Sequence, residues 1–275
     1  MARRLQQAGH TVHAWNRTQS KADPLAALGI AVHATVAEAV RQADIVVSLL
    51  ENGPAVEHVL FHAGAAQAMR PGTLFIDMAS IQPREARDHA ARLGEMGLAH
   101  LDAPVSGGTV GAENGTLAIM AGGRAEDFAR AQPVFAALGR ATHVGPHGSG
   151  QLAKLANQMI VGITIGAVAE ALLFAAKGGA DMARVREAIQ GGFADSRILQ
   201  LHGQRMVDRD FAPKARMGVQ LKDMRNALGT AKEIGFDAPV TTLFEALYAD
   251  GVEHGLGELD HSGLFVELAS RNAMQ

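Results

Sequence analysis

The pattern of the chain changes near residue 148, and this change limits the folds that are open to it. Before that point, short apolar runs such as IVVSLL at 45–50 and LFID at 74–77 alternate with helical stretches of about ten residues. This alternation is typical of a parallel sheet covered by helices. After residue 148 only helical periodicity remains. The sequence therefore predicts an α/β domain over residues 1–148 and an all-helical domain over residues 149–275.

The predicted elements follow from the same patterns. In the first domain we expect strands at 11–15, 31–33, 44–50, 73–77, 99–103, 117–121 and 142–144, and helices at 1–8, 21–28, 36–42, 55–60, 83–96 and 125–138. In the second domain we expect helices at 149–177, 181–190, 197–207, 218–234, 239–250 and 261–270.

Composition excludes several functional classes. The formal net charge of -3 provides no basic footprint for nucleic acid or an anionic membrane. The chain has no cysteine, which excludes disulfides and thiolate metal sites and suits a reducing cytoplasm. No secretory signal pattern opens the chain. We therefore expect a cytoplasmic protein that has neither nucleic acid nor membrane as a partner.

A glycine loop leads into a long apolar helix at residues 148–158, with the sequence GSGQLAKLANQ. Ser149 is a plausible N-cap, and the helical positions of Lys154, Asn157 and Gln158 share one face. The charge and amides argue against a membrane span. In a desolvated setting with a lowered pKa, Lys154 could exchange a proton in a carbonyl–alcohol interconversion. The alternative is an ordinary solvated lysine.

Polar turns follow several predicted strands, where parallel sheets bind ligands. After the strand at 11–15, Asn16 and Arg17 stand where an arginine would accommodate the 2′-phosphate of NADP(H), although a surface arginine explains them too. Further on, Ser106, Gly107 and Gly108 offer a hydroxyl and bare backbone N–H groups, which suit a carboxylate or a phosphate. An ordinary turn is the alternative reading.

Other suggestive residues have simpler explanations. Lys222 and Asp223 have the same ambiguity as Lys154, because they are either a functional pair or an ordinary ion pair on a solvated helix face. His58 and His62 have a metal-compatible spacing but no third ligand nearby, so we expect surface residues and no metal site. The run 260–262, DHS, lists triad residue types, but a helix N-cap explains it better.

Taken together, the motifs resemble the 3-hydroxyisobutyrate dehydrogenase (β-hydroxyacid dehydrogenase) family. The matching segments, in the family's order, are GHTV at 9–12, NRT at 16–18, DAPVSGG at 102–108, GTL at 115–117, residues 148–158 and LKD at 221–223. Within the family the chain looks most like the tartronate semialdehyde (2-hydroxy-3-oxopropionate) reductases, through IDMASI at 76–81, GGFADS at 191–196, RDFAP at 209–213, ADG at 249–251 and DHS at 260–262.

The resemblance implies a Rossmann-type domain, a helical domain joined through the long helix, and an active site between them. It implies reduction of a small 2-hydroxy-3-oxo acid to glycerate, with NADP(H) favoured over NAD(H) and no metal. The resemblance implies that Lys154 is the catalytic acid/base, and that the substrate carboxylate is bound by Ser106, Gly107 and Gly108 with help from Asn157 or Gln158. It implies that the adenosine end of the cofactor contacts Asn16, Arg17 and Thr18, and that Leu49, Leu50 and Ser80 line the rest of the cofactor path. Lys222, with Asp223 beside it, would lie at the nicotinamide end.

The chain departs from the family's pattern at two places. Many relatives have asparagine four positions after the lysine, where this chain has Gln158, so either that residue or Asn157 could face the substrate. The family also begins with a strand and a Gly-x-Gly-x-x-Gly turn, about fourteen residues that would precede Met1 and cradle the pyrophosphate. A start placed too late explains this gap better than a loss of tight cofactor binding, because nothing downstream looks eroded.

Two alternative functions stay open from the sequence. One is an NAD-linked 3-hydroxyisobutyrate-type or 4-hydroxybutyrate-type dehydrogenase. The other is a non-catalytic binding or assembly module with a vestigial nucleotide domain. In either case the alanine- and glycine-rich helices after Gly150 expose more apolar surface than one small domain would bury, so we expect a homodimer or a homotetramer.

Overall fold

The computed structural model describes residues 1–274 and divides into two compact units. The first unit contains residues 1–154, and the second begins at Leu155.

The first unit contains all the strands of the described chain. The strands are β1 His13–Ala14, β2 Ala31–Val32, β3 Ile45–Ser48, β4 Leu74–Asp77, β5 Ala99–Asp102, β6 Val105–Ser106, β7 Leu117–Gly123 and β8 Gly139–Gly145. The α-helices are α1 Ala2–Gln7, α2 Val36–Val40, α3 Gly53–Glu57, α4 Ala65–Ala68, α5 Pro83–Glu95, α6 Gly108–Asn114 and α7 Ala125–Leu138. Two 3₁₀ segments, Gln19–Lys21 and Asp23–Leu28, and a π-helical turn, His58–His62, complete the unit.

The main sheet is mostly parallel. Strands β3, β4 and β5 are adjacent and parallel, β7 runs antiparallel to β5, and β6 and β8 both pair with β7. Strands β1 and β2 form a separate parallel pair, and no ladder joins them to β3 within residues 1–274. Because β3, β4 and β5 are in register, Ser48, Asp77 and Asp102 stand side by side at the carboxyl ends of the three strands.

Helices cover both faces of the main sheet. Along β4, Phe75 belongs to one apolar cluster with Leu60 and Leu93, whereas Ile76 belongs to a second cluster with Phe135. Successive side chains of a strand point to opposite faces, so a strand buried on both faces is apolar throughout. This is why the strands read as continuous apolar runs in the sequence.

Most predicted elements of the first unit are confirmed, and the differences have local causes. The predicted helix at 21–28 is a pair of 3₁₀ segments, and Pro24 lies at the start of the second one. The predicted strand at 11–15 shortens to the two residues of β1. Sequence periodicity missed α4, β6 and α6, because elements of two to seven residues are too short to show a period.

The second unit is helical, as predicted. It takes in most of α8 Ser149–Lys177, followed by α9 Met182–Ile189, α10 Arg197–Asp208, α11 Met217–Glu233, α12 Pro239–Gly251 and α13 Leu264–Arg271, with a π-helical turn at Val252–Leu256 and a 3₁₀ turn at His261–Gly263. Its core contains Leu172 of α8, Met206 of α10, Tyr248 of α12 and Phe265 of α13, all almost fully buried.

Helix α8 has 29 residues and runs from the first unit into the second. By length and composition alone it could cross a membrane. However, Ile165, Ala169 and Leu172 on this helix are buried in the core of the second unit. The helix starts at Ser149 itself, so Ser149 is not the N-cap that the sequence suggested. It ends before Gly178 and Gly179, the stop that the sequence predicts.

Candidate active site

A row of polar side chains closes the carboxyl ends of β3, β4 and β5. The Ser48 hydroxyl and the Ala79 backbone N–H both donate to Oδ1 of Asp77, at 2.8 Å and 3.0 Å. The other oxygen of Asp77, Oδ2, is buried and accepts no hydrogen bond from the described residues. Burial raises the pKa of Asp77 to about 7, and the nearby Asp102 carboxylate adds to this rise. Asp77 is therefore an acid that titrates near neutral pH.

Asp77→Asn should remove a pH dependence of stability. The folded-state pKa of Asp77 lies above its unfolded value, so the folded state binds the proton more tightly and stability falls as the pH rises from about 4 to about 7. Relative to the wild type, the variant should gain about 3 kcal/mol in unfolding free energy between pH 5 and pH 8. Urea unfolding, followed by the fluorescence of Trp15, measures this gain. If the two stability curves run parallel with pH, Asp77 does not carry the raised pKa.

Asp102 links the end of β5 to the start of α8. Its Oδ1 accepts the Gly148 N–H at 2.8 Å and its Oδ2 accepts the Gln151 N–H at 2.9 Å. Burial raises the pKa of Asp102 to about 6, although these backbone hydrogen bonds oppose the rise. The carboxylate thus partners backbone N–H groups that have no acceptor within the helix.

Two clusters of histidine and carboxylate side chains have their nitrogen and oxygen atoms close enough together to bind a metal ion. His100, Asp102 and His147 form one of them, with ligand atoms within 4.8 Å of one another. Burial lowers the pKa of His100 to about 3, so this imidazole is neutral. Both Asp102 oxygens already accept backbone hydrogen bonds, which account for the position of the carboxylate.

The second cluster consists of His202, Asp260 and His261. The Asp260 carboxylate pairs with the Arg205 guanidinium at 2.9 Å and accepts the Ser262 N–H at 3.2 Å. Asp260 is the N-cap of the 3₁₀ turn, as the sequence suggested for this run.

The histidines with metal-compatible spacing in the first unit are surface residues. His58 and His62 are both exposed, as predicted.

Lys154 lies one helical turn into α8, three residues after Gln151. Its side chain is 8 % exposed, so it is not the solvated surface lysine that was the alternative reading. A charged group is rarely buried without a role, so this burial makes Lys154 a candidate for function.

The turn at Ser106, Gly107 and Gly108 requires glycine. Gly107 and Gly108 have φ angles of +132° and +64°, in the region that disfavours other residues. A Cβ on Gly107 would also lie 3.2 Å from the Leu117 side chain. The backbone N–H groups of the two glycines carry no side-chain cover, so with the Ser106 hydroxyl they can bind a carboxylate. This turn and Lys154 both belong to the first unit.

Four of the predicted site residues form a single hydrogen-bonded chain in the second unit. Asn157 donates to the Gln158 side chain at 2.8 Å, and Gln158 donates to Asp223 at 2.7 Å. Asp223, which is 3 % exposed, pairs with the Lys222 ammonium at 3.1 Å. The pair is therefore not the wet helix face that was the alternative reading of Lys222 and Asp223.

Residues at the ends of β1, β3 and β4 suit a nicotinamide dinucleotide. Asn16 accepts the Thr18 N–H at 2.9 Å, and this turn leaves Arg17 exposed. Leu49 is 56 % exposed, and an exposed leucine at a strand end offers apolar surface to a ring of the cofactor. The remaining predicted cofactor residues, Leu50 and Ser80, are half-buried. The side chains present thus include a cation, a hydroxyl and apolar groups, which fit the chemistry of the cofactor.

Comparison with known proteins decides the family. Residues 1–145 match the profile of the NAD-binding domain of 6-phosphogluconate dehydrogenase, and residues 148–268 match that of the NAD-binding domain of NADP-dependent 3-hydroxyisobutyrate dehydrogenase. The 2-hydroxy-3-oxopropionate reductase of Escherichia coli (strain K12) is 43 % identical over 266 residues, which are 96 % of this chain and 91 % of that protein. The chain belongs to the 3-hydroxyisobutyrate dehydrogenase family. It is therefore an NAD(P)-dependent oxidoreductase with a Rossmann-type first unit.

Other members of the 3-hydroxyisobutyrate dehydrogenase family differ in their substrates. The NAD-dependent L-serine dehydrogenase of Pseudomonas aeruginosa is 33 % identical over 274 residues, covering 95 % of this chain and 91 % of that protein. The structure of 3-hydroxyisobutyrate dehydrogenase from Mycobacterium tuberculosis with L-serine has a TM-score of 0.89 and 31 % identity, covering 97 % of this chain and 94 % of that one. Family membership thus indicates a small hydroxyacid without selecting one.

Sequence reasoning did not single out three residues of this dehydrogenase that the structure places at the site. They are Asp77, Asp102 and Gln151, which form hydrogen bonds with backbone groups 2, 46 and 72 positions away in the sequence. A signal was available for the two acids. Each ends an apolar strand that is buried on both faces, where a carboxylate is unusual.

Proposed function

We propose that this chain reduces 2-hydroxy-3-oxopropanoate (tartronate semialdehyde) to glycerate with NADPH. The observation that carries the proposal is the burial of Lys154 on a helix whose first turn is bonded to Asp102. Asp102 lies only four residues before Ser106, and its hydrogen bonds with Gly148 and Gln151 attach the start of the helix that carries Lys154 to the same strand end. The 43 % identity to the reductase of Escherichia coli supports the choice of substrate.

The chemistry needs a carboxylate anchor and a proton donor. The Ser106 hydroxyl and the N–H groups of Gly107 and Gly108 would bind the substrate carboxylate and so fix which carbon is reduced. The nicotinamide, when bound, supplies the hydride. Lys154 would donate its proton to the carbonyl oxygen as negative charge develops there.

The amide next to Lys154 on the same helix face has two candidates, Asn157 and Gln158. Because Gln158 donates to Asp223 at 2.7 Å, its amide has a structural partner in the second unit. Asn157 in turn donates to the Gln158 side chain at 2.8 Å, so both amides have partners and both stay candidates for the substrate contact. Lys222 and Asp223 keep their assignment to the nicotinamide end.

NADP(H) is the proposed cofactor because Arg17 is exposed in the turn that follows β1. In a dinucleotide-binding sheet this position lies beside the adenosine ribose, where an arginine accommodates a 2′-phosphate. Asn16 is uncharged, so no carboxylate at this turn would repel that phosphate.

A substrate panel with both nucleotides tests the proposal. We expect kcat/KM for 2-hydroxy-3-oxopropanoate with NADPH to exceed the values for the oxidation of 3-hydroxyisobutyrate, 4-hydroxybutyrate and L-serine by at least about tenfold. The absorbance of the reduced nicotinamide reports every reaction. A higher kcat/KM for 3-hydroxyisobutyrate or 4-hydroxybutyrate with NAD would replace the proposed substrate. No turnover with any pair would favour a non-catalytic module.

A further inference from the structure

The first turn of α8 is bonded to the sheet by groups outside the helix. A helix leaves its first backbone N–H groups without partners, and a negative charge near them is favourable. Here the Asp102 carboxylate accepts the N–H groups of Gly148 and Gln151 with separate oxygens, at 2.8 Å and 2.9 Å. Asp102 is fully buried, so water does not compete for these bonds. They fix the start of α8 to the end of β5.

The Gln151 side chain makes a second attachment, to the turn after β4. Its Oε1 accepts the Ile81 N–H at 3.0 Å, and its Nε2 donates to the Ala79 carbonyl at 2.8 Å. Gln151 is fully buried, and its amide uses both its acceptor and its donor on backbone groups. The first turn of α8 is thus attached to the ends of two adjacent parallel strands.

These attachments lie close to both proposed catalytic elements. Lys154 follows Gln151 by three residues, which is about 4.5 Å along a helix. Ser106 follows Asp102 by four residues. Any movement of the helix start relative to β5 would therefore change the position of Lys154 relative to the glycine turn.

We propose that Asp102 and Gln151 are positioning residues, which set the location of Lys154 relative to Ser106, Gly107 and Gly108. This proposal rests on the proposed function, in which Lys154 is the proton donor. A displacement of about 1 Å at a reacting group can cost about a hundredfold in rate. Loss of either attachment should therefore reduce kcat more than it weakens nucleotide binding.

Gln151→Met tests the attachment to the turn after β4. Methionine has a similar length but no amide, so it keeps the packing and removes both hydrogen bonds. We expect kcat to fall about thirtyfold, with the Kd for NADPH changed by less than about threefold. Asp102→Asn is the second variant, should Gln151→Met fail to fold. Asparagine keeps one acceptor oxygen but places an NH2 group opposite one of the two backbone N–H groups. One hydrogen bond is then lost, so kcat should fall similarly.

Thr73→Val controls for the general effect of changing a buried polar residue. Thr73 is 3 % exposed and donates to the Ala43 carbonyl at 3.1 Å, just before β4 and so at the end of that strand opposite to Asp77. This variant should lower the midpoint of urea unfolding and leave kcat unchanged. If Gln151→Met lowered the midpoint equally but also left kcat within about twofold of the wild type, the positioning role would be wrong.

A double-mutant cycle with Lys154→Ala separates positioning from an independent effect. If Gln151 acts through Lys154, Gln151→Met should change the residual single-turnover rate of Lys154→Ala by less than about twofold. A further thirtyfold loss in that background would show that Gln151 acts independently and would overturn the proposal. Wild-type kcat in Lys154→Ala itself would instead refute the proposed function, so the two failures are distinguishable.

Discussion

Lys154→Ala is expected to lower kcat by about a thousandfold while the Kd for NADPH changes by less than about threefold. Proton transfer by a positioned group contributes about two to four orders of magnitude to a rate. Alanine retains the helix but has no proton to donate. Because the proposed dinucleotide contacts lie on other elements, binding of the nucleotide should persist. Steady-state kinetics and the fluorescence of bound NADPH measure the two quantities.

Lys177→Ala is the matched control for this substitution. Lys177 lies on the same helix, but its ammonium donates to the Asn272 carbonyl at 2.6 Å near the last turn. Removing it deletes the same charge without touching the proposed site, so kcat should stay at the wild-type value. If Lys154→Ala kept more than a few per cent of the wild-type kcat, Lys154 would not be the proton donor.

The fold could be predicted where an element is long enough to reveal its period. The helix Ser149–Lys177 and the buried strand Leu74–Asp77 were predicted from apolar patterns alone, because each exceeds one repeat of its geometry. Helix Gly108–Asn114 was missed, because its seven residues include Gly108, Gly111 and Asn114, and glycine and asparagine are typical of turns. Local sequence alone does not distinguish a short helix from a loop in such a segment.

The candidate site could be predicted only where chemistry and sequence position coincide. Lys154 and the glycine turn were predicted because each is a compact motif, whereas the bonds from Gln151 to Ala79 and Ile81 join residues 72 and 70 positions apart. Which backbone group a buried amide meets depends on the register of strands and helices. That register is a property of the tertiary structure, so a single sequence does not contain it in readable form.

Gly150→Ala is expected to destabilise the first unit by about 3 kcal/mol and to lower kcat by about a hundredfold. A Cβ at this position would lie closer than 3.0 Å to the backbone oxygens of Asp102 and Met120, a separation that real Cβ atoms essentially never show. Both oxygens belong to strands of the main sheet, so the helix start would have to move away. That movement would break the hydrogen bonds that the Gly148 and Gln151 N–H groups donate to Asp102. Urea unfolding, followed by the fluorescence of Trp15, gives the stability.

Gly94→Ala is the control that separates the steric overlap at Gly150 from the general effect of replacing glycine in a helix. Gly94 lies near the end of α5 in the same unit, and a Cβ there meets nothing within 4 Å. Alanine should therefore stabilise the unit by about 0.5–1 kcal/mol, because it restricts the unfolded chain without a clash. A loss of unfolding free energy in Gly150→Ala and a gain in Gly94→Ala would show that the loss comes from the contact of α8 with the strands. Wild-type stability and kcat in Gly150→Ala would mean that the helix start can move without moving Lys154, and close packing against β5 and β7 would then have no part in placing the proton donor.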